Sequence, residues 1–83
     1  MSEQRSYVGM VPVWTLADRM RKAREVTGLD QQAFSEELGV SRSTVSNAER
    51  GKVQPSRLLV AAWAMRSGVP LVWLETGSGG GGG

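Results

Sequence analysis

Residues 29 to 52 read Leu29-Asp-Gln-Gln-Ala-Phe-Ser-Glu-Glu-Leu-Gly-Val-Ser-Arg-Ser-Thr-Val-Ser-Asn-Ala-Glu-Arg-Gly-Lys52. Two short helical patterns meet there across a very tight break. Asp30 is a helix N-cap: its carboxylate accepts from backbone N–H groups that a first helical turn leaves free. Ala33, Phe34 and Leu38 follow as the inward residues, and Gly39 closes the helix. Only Val40 and Ser41 intervene before the next helix. Ser41 is a second N-cap. Val45 and Ala48, three positions apart, make a short apolar stripe.

A connection as short as Gly39-Val40-Ser41 cannot fold two helices back antiparallel. They must cross steeply, as in a helix-turn-helix. Gly39 permits the positive φ that such a turn wants, and Val40 plugs the corner. The second helix is then left projecting with its polar face outward. That face has the chemistry of a groove reader. Arg42 offers a fork of donors to guanine O6 and N7, and Asn47 pairs bidentately with adenine N6 and N7. Ser43, Thr44 and Ser46 are short enough to let the helix enter a major groove, and they suit contacts to bases or phosphates. Glu49, near the helix end, is the one acid there.

Outward from this stretch, the pattern stays helical. Thr15 is an N-cap with Asp18 as its capping-box acid. Leu16, Met20 and Ala23 then recur at helical spacing up to Thr27, where Gly28 is a stop. Pro55-Ser56 opens a fourth helix whose apolar body, Leu58 to Met65, is expected to form core. Gly68 breaks it, and Pro70 suits the first turn of a short last helix carrying Trp73 and Leu74. Trp63 and Trp73 are also expected in the core; Trp14 is the candidate for an interface. Val8 to Trp14 contains Pro12, which forbids a helix and suits an extended arm. Packing of that arm on its own domain is favoured over pairing with another subunit. Gly77 to Gly83 is Gly-Ser followed by five glycines. Such a tail cannot pack and behaves as a flexible linker. The expected organisation is an arm over 1–14, an all-α five-helix domain over 15–76 and a tail over 77–83.

Composition narrows the function. The 83 residues include no cysteine and no histidine. Disulfides, thiolate metal sites and Ser-His-Asp or Cys-His nucleophiles are therefore ruled out. No carboxylate pair is spaced to share a pocket, so no enzyme activity and no cofactor or small-molecule ligand is expected. The longest apolar run is too short to span a bilayer, and residues 1–10 lack a signal-peptide pattern. A cytoplasmic protein without membrane contact is the expectation. Net charge is only +2, but the cations cluster. Arg19, Arg21, Lys22 and Arg24 crowd one stretch. Arg42, Arg50, Lys52 and Arg57 fall in another, with Asp30, Glu36 and Glu37 between the two.

The stretch 29–52, extended to Arg24, Pro55-Ser56 and the ending Gly-Val-Pro-Leu-Val-Trp-Leu-Glu-Thr-Gly77, resembles the Cro/C1-type (XRE-family) helix-turn-helix. The specific features are the opening Gln31, Gly-Val-Ser in the turn, Glu-Arg-Gly at the helix end and Pro-Ser afterwards. Phe34 and Ala48 depart from the family, which often has Leu and Trp or Ile there.

The resemblance implies a lambda-repressor-like, five-helix DNA-binding domain. Position by position, it implies that Gln31 touches a DNA phosphate and that Arg42, Ser43 and Asn47 read bases, with Ser46 a further candidate. Arg50 and Lys52 fall on positions that contact the DNA backbone, and Thr44 joins that group. Arg24 and Glu49 match an internal ion pair tying the first helix to the third, which removes Glu49 from the DNA contacts. The expected activity is sequence-specific binding of double-stranded DNA by a homodimer on a pseudo-palindromic operator, as in a phage Cro or immunity repressor. No second domain for ligand sensing or self-cleavage is expected. The alternatives are an antitoxin-type regulator that also binds a protein toxin, and a protein-interaction domain reusing the fold.

Overall fold

Among the described residues, four of the five helices begin at a side chain able to cap them, and in each case the cap is made. The computed structural model describes residues 14–78. The helices are α1 (Leu16–Thr27), α2 (Gln31–Leu38), α3 (Arg42–Glu49), α4 (Arg57–Ser67) and α5 (Leu71–Thr76), with no strand among the described residues. The expected arm, apart from Trp14, and the tail beyond Ser78 lie outside the described residues. Thr15 and Asp18 form a full capping box: Asp18 N–H donates to Thr15 Oγ1 at 3.1 Å, and Thr15 N–H donates to Asp18 Oδ2 at 3.0 Å. Asp30 accepts from Ala33 N–H at 2.8 Å. Ser41 and Ser56 accept from Thr44 and Leu59 N–H, each at 3.1 Å. Pro70 opens α5 without a side-chain cap.

The core gathers one face from every helix. Met20 and Ala23 come from α1, Phe34 from α2, Val45 and Ala48 from α3, Val60, Trp63 and Ala64 from α4, and Leu74 from α5. Phe34 meets Trp63 edge-on, with ring centroids 5.1 Å apart. The Trp63 indole N–H, fully buried, donates to the Met20 carbonyl at 2.8 Å. An unpaired indole donor in this interior would be costly. Replacing such a side chain with Ala removes about 3–5 kcal/mol.

Two expectations about burial change. The run Leu58 to Met65 is not core throughout: Leu58 is 83% and Met65 79% exposed. A helix bundled on one side can turn only one face inward, so α4 buries Val60, Trp63 and Ala64 and leaves a second apolar face outside. In α2, Ala33 is only half-buried and Ser35 is buried instead. The Ser35 hydroxyl donates to Gln32 O at 2.7 Å, and its carbonyl accepts from Gly39 and Val40.

Arg19 differs more sharply from the sequence picture, where it counted among the basic residues of α1. It is buried. Its guanidinium donates to Trp14 O at 2.7 Å, Leu74 O at 2.8 Å and Glu75 O at 3.1 Å. It thus holds the entry to α1 against the end of α5, where free helix carbonyls favour a cation. Gly77, with φ 80°, ends α5 beside it; a Cβ there would sit 3.2 Å from Arg19 Nη1.

Candidate nucleic-acid interface

The turn between α2 and α3 sets the interface. Gly39 takes φ 77° and ψ 29°, a left-handed conformation that disfavours a side chain. Both N–H groups of Gly39 and Val40 return to the end of α2. Val40 packs against the core cluster. Ser41 is extended and starts α3 at once. Its hydroxyl also lies 3.1 Å from Ser43 Oγ and 2.9 Å from Thr44 Oγ1, so three hydroxyls cluster at the helix start.

Val45, Ala48 and Glu49 form the buried side of α3. Helical spacing of 3.6 residues per turn then puts Ser43 and Asn47, four apart, on the opposite side, flanked by Ser46. Arg42 and Ser43 are exposed; Thr44, Ser46 and Asn47 are half-buried. Arg50 and Lys52 are exposed just beyond the helix. Arg42 also shares a polar cleft with Arg24, Asp30, Gln31 and Gln32. The start of α2 and the start of α3 are therefore walls of one concavity. Among the described residues, Arg42, Arg50 and Lys52 have no carboxylate at ion-pair distance.

Glu49 points the other way. Its Oε2 accepts from Arg24 Nε at 2.7 Å, and its Oε1 accepts from Arg24 Nη2 at 3.1 Å. The two side chains are 3% and 14% exposed. The bonded carboxylate raises the Arg24 pKa above the usual guanidinium value. Arg24 Nη1 donates further to Leu29 O at 2.9 Å. Gln31, the expected phosphate contact, directs Nε2 to Glu49 Oε1 at 3.1 Å. Sequence reasoning missed this bond, and it missed the burial of Arg19; neither leaves a local signal. Arg57, whose side chain is almost fully exposed, sits 3.7 Å from Glu75.

A helix-turn-helix family profile matches residues 20–74. The chain belongs to the Cro/C1-type helix-turn-helix family. The HTH-type transcriptional regulator PrtR of Pseudomonas aeruginosa is 36% identical over 69 residues, which is 83% of this chain. The chain spans only 27% of that protein's length. Its fold is similar to the solution structure of the DNA-binding domain of the P22 c2 repressor, with a TM-score of 0.73 and 22% identity over 83% of this chain and 91% of that one. Among the described residues, no helix is long and apolar enough to cross a membrane.

Proposed function

We propose that residues 15–76 are a DNA-binding unit that reads double-stranded DNA through α3, and that the protein regulates transcription from a pseudo-palindromic operator as a phage-type repressor does. The observation that carries this reading is the outward side of α3. It presents Ser43, Ser46 and Asn47, with Arg42 exposed at the helix start beside α2, while its one acid, Glu49, is turned inward and paired with Arg24. In this reading Arg42 donates to guanine and Asn47 pairs with adenine, with Ser43 and Ser46 beside them. Arg50 and Lys52 neutralise phosphates, and Gln31 and Thr44 add contacts along the backbone. Repression follows by occlusion of the bound site, in the cytoplasm where bacterial DNA lies.

Two copies on the operator would put their α3 helices in successive major grooves, about 34 Å apart. Support for pairing comes from the outward apolar residues Leu58 and Met65 of α4 and from Val72 of α5. The test is selection of sites from random-sequence duplexes, followed by binding isotherms across a salt series. A symmetric site with half-sites one turn apart and a steep salt slope is expected. Salt-insensitive retention of DNA, or none, overturns the reading.

A further inference from the structure

We propose that Glu49 is a positioning residue for DNA binding, holding the start of α2 in register with α3 through a shared carboxylate. The inference rests on the DNA-binding function proposed above. One carboxylate serves two elements besides its own: Arg24 of α1 on both oxygens and Gln31, the first residue of α2, on Oε1. Arg24 in turn grips Leu29 O. Leu29 and Gln31 flank Asp30, the cap of α2, so the network closes a ring around that cap. Gln31 and Arg42 line the same cleft. The ring therefore sets the distance between a contact carried by α2 and the reading face of α3.

Glu49 occupies an unfavourable place on other grounds. It is the last residue of α3, where the negative end of the helix dipole disfavours a carboxylate. It also lies close to the surface assigned to a polyanion. A buried ion pair adds little net stability over apolar packing of the same shape. What this arrangement supplies is geometry: a planar carboxylate meeting a planar guanidinium in a two-bonded fork, with a third donor aligned on the same oxygen.

This makes a prediction of opposite sign to simple electrostatics. Glu49→Gln removes a negative charge near DNA, so charge alone predicts tighter binding to every duplex. The amide, however, has a single acceptor oxygen, and whichever way it is turned its NH2 faces a donor, Arg24 Nε on one side or Arg24 Nη2 and Gln31 Nε2 on the other, so the three bonds cannot all survive. Loss of register should weaken binding to the selected operator. The operator and a scrambled duplex of equal length serve as probes, at a temperature where circular dichroism shows the variant folded and with active protein counted by stoichiometric titration. Operator affinity is expected to fall roughly tenfold or more, the fold-change of one charge-assisted hydrogen bond. Scrambled-duplex affinity should hold or rise. Tighter binding to both duplexes, or an unchanged ratio between them, overturns the proposal.

Gln31→Met gives a second route, since it leaves the Arg24–Glu49 pair intact. Its effect on operator binding and that of Glu49→Gln should be strongly non-additive; additive effects overturn the proposal. If Glu49→Gln does not fold, Gln31→Met alone must lower the operator-to-scrambled ratio, and an unchanged ratio overturns it. Failure of the parent reading looks different, because the unmodified protein would then show no salt-dependent preference for either duplex.

Discussion

The two basic stretches, α1 and the segment from α3 to the start of α4, carry four cations each and look alike on paper. Folding treats them in opposite ways. In α1, Arg19 is consumed by backbone carbonyls and Arg24 by Glu49. Arg21 stands between Asp18 and Glu25 at 3.6 and 3.7 Å. Only Lys22 is left exposed without such a partner among the described residues. In the second stretch, Arg42, Arg50 and Lys52 stay exposed without one, and only Arg57 faces an acid, at 3.7 Å. A cation count therefore overstates the potential of α1. What attracts a polyanion is charge left unpaired on one face.

The comparison can be broken most forcefully at Arg19. Arg19→Ala leaves the Trp14, Leu74 and Glu75 carbonyls without their shared donor and loosens α5 from the core. A loss of about 3 kcal/mol or more in folding stability is expected, since charge-assisted bonds contribute roughly 1.5–3 kcal/mol each. Denaturant unfolding checks it, and DNA affinity of the folded protein should barely change. A stable variant with weakened DNA binding would put Arg19 with the interface cations instead.

Arg42→Ala and Lys52→Ala sharpen the other half. Arg42→Ala should remove about 1–3 kcal/mol of discrimination at one base position with little change in stability. Lys52→Ala should weaken operator and random duplexes alike and lower the salt slope by about one. Binding isotherms on both duplexes separate the two roles; equal loss on both for Arg42→Ala would deny it a base.

The smallest effect concerns the acid that helps to neutralise α1. The Thr15 N–H bond, assisted by Arg21, holds the Asp18 carboxyl below the usual carboxylate range. A depressed pKa contributes stability that is present above the ordinary value and is lost as pH falls through the lowered one. Asp18→Asn should therefore cost on the order of 0.5 kcal/mol at neutral pH and little in strong acid. Thermal unfolding across that range checks it, and an equal cost at both ends would mean that the carboxylate charge plays no part.

Much of the fold is local chemistry. Thr15, Asp30, Ser41 and Ser56 cap N–H groups within three positions. The tight turn follows from Gly39 beside Ser41. These are short-range preferences, so helix order, the break between α2 and α3, and the polar composition of α3 were all legible. The Arg24–Glu49 pair was legible only through family resemblance, because nothing local joins residues 25 positions apart.

Tertiary packing decided the rest. Arg19 and Leu74 stand 55 positions apart, and no periodicity in α1 says that a guanidinium will meet the end of α5. In α4 the apolar residues surround the helix, so the pattern has no preferred side; contact with α1, α2 and α5 selected Val60, Trp63 and Ala64. Gln31 meets Glu49 only because α2 and α3 are packed together. Local hydrogen bonding and steric limits act within a turn or two and are written in the order of residues. Which charges stay free for a partner depends on what the completed fold brings beside them.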